Sequence, residues 1–399
     1  YLEWEMPPLV PFIIGFLSVF LGNVLAEYAY IVLGSFAYLV ASLLFARKFG
    51  VDETSFYVFS LNAFAIVYAF SVGTELLSSV MLLMFLATLY EKRAGMWAAL
   101  SVLVRYTNIP YLVLVLFQKN IKKIIITIVV FAVVMVPWLA YNYAQAGDPL
   151  FSIADSYVLN VLQRSYIHTP FNPTEILLVL NVTLPLFIVG VAHRYRKLSR
   201  NDIMLLIIFA ITLVAYLQTP LKDQPRYMYT LIIPAAYFAA TAIQKNKKNI
   251  VTGAFIAATV VLIALFPLIG MSIGLEPAAP YANIATKHNC TMYSNVWVPL
   301  NQAGVAAYPQ PRQTEIQNLI DQGYLITLFK NVPEPDYVSN ETVLRQYPVK
   351  DETESYIILG TGCRTGDIVE FSYTRSQETY RAIDRNYSSS SSCILLPFC

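Results

Sequence analysis

From residue 9 to residue 272 the chain is a succession of apolar blocks divided by very short polar joints. The blocks lie near 26–46, 54–72, 74–90, 94–104, 109–118, 121–142, 173–192, 202–219, 226–243 and 249–272. A helix needs about 20 apolar residues to cross a bilayer, so this pattern predicts an all-α polytopic bundle of about ten transmembrane helices. Segments 94–104 and 109–118 are short and read as steeply packed or broken. Residues 9–22 begin on Pro7–Pro8 and contain Pro11, which leaves two readings: a span, or a piece re-entering at the outer surface.

The pattern changes after residue 273. Thr291–Trp297, Tyr324–Phe329, Tyr356–Leu359 and Ile368–Tyr373 read as strands, and Gln313–Gln322 as a helix stopped by Gly323. Ser388–Ser392 reads as a flexible link. The expected division is therefore a transmembrane domain over 1–273 and a small α/β domain over 274–399.

Composition narrows the class further. Hydrophobic residues make up 57% of the chain and charged residues 13%, against about 25% charged in a soluble domain. A formal net charge of +2 and the lack of basic runs interleaved with aromatics speak against nucleic acid. Tyr1–Pro8 carries Glu3 and Glu5 and no basic residue, so it does not read as a signal peptide.

Charge sets an expected orientation. Arg47, Lys48, Lys92, Arg93, Lys119, Lys122, Lys123, Arg194, Arg196, Lys197, Arg200, Lys245, Lys247 and Lys248 fall in alternate joints, 14 in all. The opposite joints hold four: Arg105, Arg164, Lys222 and Arg226. An excess of Lys and Arg marks the cytoplasmic side, which places the C-terminal domain outside. Two further signals agree. Cys290, Cys363, Cys393 and Cys399 all lie in the tail and predict disulfides of undetermined pairing. Glycosylation sequons occur there at Asn289, Asn340 and Asn386. A further sequon at Asn181 lies within a predicted helix, where it would not be used.

Few residues remain that could carry chemistry at the outer edge. Arg105 closes one apolar run and Arg226 opens another. An arginine at this depth either binds an anion, or snorkels, or pairs with a carboxylate such as Glu75 or Asp223. Glu3, Glu5, Glu75 and Asp148 are outer-side carboxylates. Asp148, in Gly147–Asp148–Pro149, reads as a turn residue, and Glu75 also fits a helix N-terminus. The three histidines are far apart and no pair has metal-ligand spacing. The chain shows no phosphate-cradling glycine loop and no G-x-S-x-G.

Several short motifs then occur in a telling order. Tyr1-Leu2-Glu3-Trp4-Glu5-Met6-Pro7-Pro8-Leu9 resembles the "PPL" stretch ending the first external loop of C-type (GT-C) glycosyltransferases. These include the protein O-mannosyltransferases and aminoarabinose transferases. Ala46–Gly50 resembles the basic end of their next span. Glu75 and Arg105 stand where such proteins carry an acid and a basic residue. Asn142–Leu150 resembles their step into an external loop, and Pro225-Arg226-Tyr227 with Pro234 resembles their "RY-x-x-P" helix start. The resemblance covers about residues 1–275.

The resemblance implies a hexosyl or pentosyl transfer from a polyprenyl (dolichyl-type) phosphate to a hydroxyl on a protein, glycan or lipid acceptor, at the extracytoplasmic face. It implies Arg105, Lys222, Arg226 and Tyr227 as ligands of the donor phosphate, and Glu5 or Glu75 as the carboxylate. The only cofactor-like molecule is the lipid-linked sugar itself; a divalent metal ion is left open. The family's usual catalytic Asp follows a first membrane helix ahead of "PPL", and neither lies within these 399 residues. Two alternatives therefore stand beside the enzyme: a non-catalytic subunit of a larger assembly, and a transporter or flippase.

Overall fold

The structure, a computed structural model, describes residues 7–69, 73–157, 173–218, 225–243, 247–265, 283–284, 287–288, 290–297, 300, 305–311, 313–330 and 336–365. These residues form two units, one running to residue 265 and the other from residue 283 to 365.

The first unit is helical. Its elements are α1 (Leu9–Leu21), α2 (Asn23–Phe49), α3 (Glu53–Ser60), α4 (Ala63–Ala69), α5 (Glu75–Ala87), α6 (Ala94–Val104), α7 (Ile121–Ala146), α8 (Phe151–Tyr157), α9 (Thr174–Leu180), α10 (Thr183–Arg194), α11 (Arg200–Gln218), α12 (Ile232–Ala242) and α13 (Lys248–Leu265). Two 3-10 segments, Tyr106–Phe117 and Pro225–Leu231, interrupt the series. Among the described residues, four stretches are long and apolar enough to cross a membrane: Leu25–Phe49, Ile121–Ala146, Arg200–Leu217 and Lys248–Leu265. The bent pair α9–α10 adds one more if counted as a single span. The other predicted blocks are shorter apolar helices or broken ones. The predicted segment 9–22 forms the continuous helix α1 over Leu9–Leu21, whose Phe12, Phe16, Val19 and Phe20 are exposed on one face. A face of this kind is stable against lipid and costly against water.

The predicted span 54–72 is broken at Leu61–Asn62. The reason is Asn62, whose side-chain oxygen accepts from the Ala65 N–H at 2.9 Å and so caps α4. The predicted span 173–192 is also broken, bending by 90° between α9 and α10. The bend sits on Asn181, a non-glycine residue at φ 30°, a conformation that asparagine tolerates better than most residues. The two breaks meet. The Asn62 amide donates to the Val179 carbonyl at 2.9 Å, and the Thr183 hydroxyl donates to the Phe59 carbonyl at 3.3 Å. Carbonyls freed by a broken helix have no water to turn to in a bilayer. Here each break supplies the donor for the other.

Close helix packing holds the rest. α10 crosses α12 so tightly that a Cβ on Gly190 would sit 2.0 Å from the Phe238 carbonyl oxygen. Likewise, a Cβ on Gly95 of α6 would sit 2.1 Å from the Thr127 carbonyl oxygen of α7. Small residues at such crossings let backbones approach, as membrane bundles require.

Side-chain bonds gather the basic joints at one end of this unit. Lys48 pairs with Glu91 at 3.2 Å and Lys248 with Asp52 at 2.7 Å. Lys123 donates to the Tyr90 carbonyl at 3.1 Å, and Arg200 donates to the Phe117 carbonyl. The joints after α2, α5, the first 3-10 segment, α10 and α12 thus share one end. The alternation of charge read from the sequence is a spatial separation. With its outward apolar faces, the chain is an integral membrane protein.

The second unit is a five-stranded mixed sheet in the order β2-β1-β3-β5-β4. Its strands are β1 (Met292–Ser294), β2 (Ala307–Pro309), β3 (Leu325–Phe329), β4 (Val349–Glu352) and β5 (Tyr356–Leu359). β2, β1 and β3 are parallel, and β5 and β4 complete the sheet antiparallel. α14 (Ile316–Asp321) precedes β3, and the short α15 (Glu341–Leu344) precedes β4. Gly323, at φ 89°, ends α14 as expected, its N–H bonding to the Ile320 carbonyl. The predicted strand Thr291–Trp297 shortens to three residues, since Asn295 leaves the ladder and bonds across to the Phe329 backbone. β2 and β4 were not foreseen. β2 has three residues, and β4 is a charged edge, Val-Lys-Asp-Glu, without the apolar run that marks a strand. The predicted strand Ile368–Tyr373 and the link Ser388–Ser392 lie outside the described residues.

Candidate functional site

At the end of the helical unit away from the basic joints, the sequence forces two helix ends together. α5 begins after the Gly73–Thr74 turn, and the turn is fixed from α2 by the Tyr30 hydroxyl, which donates to the Gly73 carbonyl at 2.7 Å. Glu75 falls in the first turn of α5, where free N–H groups and the helix dipole favour a carboxylate. α6 ends at Val104, and Arg105 is extended at φ −150°. Asn108 makes this ending durable. Its amide donates to the Ser101 carbonyl at 2.9 Å and to the Ser78 hydroxyl of α5 at 2.8 Å.

The result is an ion pair. Arg105 Nη1 lies 3.2 Å from Glu75 Oε1, with side-chain exposures of 14% and 8%. Of the readings open to Arg105 in the sequence, pairing with Glu75 is the one the geometry adopts. Glu75 is correspondingly a bound partner of a cation.

Tyrosines surround the pair and link it to Arg226. Glu75 lies within electrostatic range of the Tyr30, Tyr68 and Tyr229 hydroxyls, and Arg105 within range of Tyr111. Tyr68 also lies within range of Arg226. The Tyr111 hydroxyl bonds Thr212 of α11 at 2.7 Å and lies near Thr230, four residues after Arg226 in its 3-10 segment. Arg226 itself is exposed, its guanidinium 5.7 Å from the Tyr227 ring centre, and it makes no ion pair among the described residues. The structure therefore brings Glu75, Arg105, Arg226 and Tyr227 to one region, where Arg226 is exposed and has no counter-charge among the described residues.

A second polar knot lies beside it. Trp138 Nε1 donates to the Tyr106 and Ser152 hydroxyls, both at 3.0 Å. The Asn142 amide donates to Ser152 at 2.8 Å and to the Pro149 carbonyl at 3.1 Å. Asp148 closes its own turn on the Leu150 N–H at 2.8 Å, the structural role its Gly-Asp-Pro setting suggested. Asn142 thus ties the turn at the end of α7 to the residue that follows Arg105.

Sequence reasoning missed Asn108, Ser78, Tyr111, Thr230 and Tyr30, and also Glu175 in the first turn of α9, whose carboxylate accepts from the Tyr216 hydroxyl. Asn108 was open to detection, as an amide in an apolar segment two residues before Pro110. The tyrosines were not, being scattered among 28 in the chain. Glu5, Lys222, Asn289, Asn386, Cys393 and Cys399 lie outside the described residues. Cys290 and Cys363 form a disulfide. Asn340 is exposed, and its side chain caps α15 on the Val343 N–H. No cluster of three or more His, Cys, Asp or Glu side chains able to hold a metal occurs among the described residues.

No sequence-family profile matches the chain, and no curated protein matches it. A solved structure does: ArnT from Cupriavidus metallidurans, in a crystal structure bound to undecaprenyl phosphate. The superposition covers 90% of this chain and 88% of that one, with a TM-score of 0.55 at 13% sequence identity. The chain has the fold of ArnT. The likeness spans nearly the whole length and therefore embraces both units. The ArnT-like, GT-C bundle expected from the ordered motifs is present, although the two sequences share about one residue in eight. Within this ArnT-like fold the paired Glu75 and Arg105 and the exposed Arg226 form the candidate site.

Proposed function

We propose that the protein is a membrane glycosyltransferase that moves a sugar from a polyprenyl phosphate to an acceptor hydroxyl on the extracytoplasmic face. The observation that carries this reading is an exposed Arg226, with no ion pair among the described residues, beside the Glu75–Arg105 pair in an ArnT-like fold, where the neighbour's ligand is a polyprenyl phosphate. The acceptor oxygen attacks the anomeric carbon and the bond from that carbon to the phosphate oxygen breaks. The acceptor proton passes to a carboxylate, and polyprenyl phosphate departs as an anion. Departure is favoured by donors aimed at the developing charge. Arg226 supplies a planar fork suited to a phosphate, with Tyr227 beneath it and Lys222 four residues earlier in the sequence. The buried Glu75–Arg105 pair shapes this region. Among the chain's own candidates, Glu5 keeps the role of base.

Arg226→Ala is expected to weaken undecaprenyl phosphate binding to the purified full chain by tenfold to more than a hundredfold, from loss of about 1.5–3 kcal/mol of charge-assisted bonding. Arg226→Lys should restore part of it. Unchanged binding in a folded Arg226→Ala protein sinks the phosphate assignment.

Orientation belongs to the same proposal. Single cysteines at Lys197, in the basic joint after α10, and at Gln322, after α14, should react with an impermeant thiol reagent from opposite sides of the membrane, read by peptide mass. Labelling from one side contradicts an extracytoplasmic C-terminal unit.

A further inference from the structure

At the basic end of the helical unit there is a cavity of about 370 Å³ lined by Tyr90, Lys119, Asn120, Lys123 and Arg200. Three different joints contribute: Tyr90 follows α5, Lys119 and Asn120 precede α7 with Lys123 in its first turn, and Arg200 opens α11. It is independent of the proposed transfer reaction, whose Glu75 stands at the other end of α5, about 20 Å away along 13 residues.

The cavity is positive: its lining holds three basic side chains and, among the described residues, no acidic one. Among the described residues, none of Lys119, Lys123 and Arg200 makes an ion pair. Two of them donate to carbonyls instead, Lys123 to Tyr90 and Arg200 to Phe117, and the Arg200 guanidinium also lies 5.6 Å over the Phe117 ring. These bonds hold the cations around the space without neutralising them. The acid next to Tyr90, Glu91, is already taken by Arg93 at 2.7 Å and Lys48 at 3.2 Å. Their hydrogen bonds, Arg93's first, keep its carboxyl below the ordinary range. The N-terminus of α7 adds the positive end of its helix dipole.

An apolar track leads away from the cavity. Ile121, Ile125, Ile128, Val129 and Val133 are all exposed and recur at helical spacing along α7. A free anion needs the cations only. A molecule with an anionic head and long apolar chains uses both the cavity and the track.

We propose that this cavity binds the phosphate of an anionic phospholipid, whose acyl chains lie along the exposed face of α7. Basic pockets between helices at this membrane face are suited to such headgroups, and each basic group contributes about fivefold in affinity.

The test is native mass spectrometry of the full chain in detergent, titrated with phosphatidylglycerol or with phosphatidylcholine of the same acyl chains. Phosphatidylglycerol is expected to bind at least about tenfold more tightly. The variant K119Q/K123Q, which leaves Arg200 on the Phe117 carbonyl, should lose about twenty-five-fold. The variant K119R/K123R should retain wild-type affinity. Equal affinity for the two lipids overturns the proposal, as does loss in the arginine variant. The control K92Q/K197Q removes two charges from the same end outside the cavity and should lose less than about twofold; a loss matching that of K119Q/K123Q overturns the site. Inorganic phosphate at millimolar concentration should leave bound phosphatidylglycerol in place. If it displaces the lipid, the cavity is a site for free phosphate and the lipid assignment fails.

Discussion

Glu75→Gln is expected to lower the unfolding free energy of the helical unit by about 3–5 kcal/mol, because it leaves Arg105 buried without its counter-charge. The two side chains are 8% and 14% exposed and 3.2 Å apart, so water cannot replace the lost carboxylate. Arg105→Gln should cost a similar amount for the mirror-image reason. The double variant Glu75→Gln/Arg105→Gln should recover most of the loss, since neutral amides leave no stranded charge, and the double-mutant cycle isolates the pair. Thermal unfolding in one detergent checks all four proteins. The alternative is that Glu75 acts as the base and Arg105 is incidental. Glu75→Gln would then match wild-type stability while abolishing transfer, and that outcome would end the structural assignment. An inactive but stable double variant is compatible with a shaping role for the pair, because a site built around two charges loses its field when both are removed.

Much of this architecture was legible because a bilayer constrains a sequence more simply than water does. Apolar blocks mark helices, and the 14-to-4 division of basic residues marks ends. The basic end is confirmed by bonds such as Lys48–Glu91 and Lys248–Asp52. The breaks were harder to see. A continuous apolar block from 54 to 72 gives no warning that Asn62 will cap a new helix, because the partner carbonyls lie 117 and 118 residues away. The site was legible only as single residues. Glu75 and Arg105 stood out as scarce charges, but their pairing depends on Asn108 clamping the end of α6 to α5, a contact made by two common polar residues. In the second unit, β4 escaped notice because an edge strand needs no apolar pattern, whereas β5 is buried on both faces and was read with its bounds intact.

Removal of the Cys290–Cys363 bridge should be the most damaging change to the second unit. The bridge joins Cys290, two residues before β1, to the segment after β5, 73 residues on, and the Thr291 N–H bonds to the Arg364 carbonyl beside it at 2.7 Å. Closing a loop of that length removes about 4 kcal/mol of unfolded-chain entropy. For a unit with a core as small as this one, that is a large share of stability. Cys290→Ser/Cys363→Ser should therefore become sensitive to protease within residues 283–365 at lower urea concentration than the wild type, while helical-unit fragments persist unchanged. Reductant should reproduce the effect in the wild type. Identical urea midpoints would show that the bridge contributes nothing to the fold.

The reciprocal breaks at Asn62 and Asn181 bear on how the chain is assembled. The α3–α4 segment leaves the ribosome more than a hundred residues before α9–α10, yet the carbonyl of Phe59 has its side-chain donor on Thr183, and Asn62 finds its acceptors at Val179 and Leu180. Until the later pair arrives, the earlier break carries unmet polar groups that hydrocarbon will not solvate. Integration of this protein is accordingly expected to be non-sequential. The first broken segment has to wait beside water or within the insertion machinery, and the two pieces enter their final depth together. Any truncation that stops short of residue 183 strands the first of them.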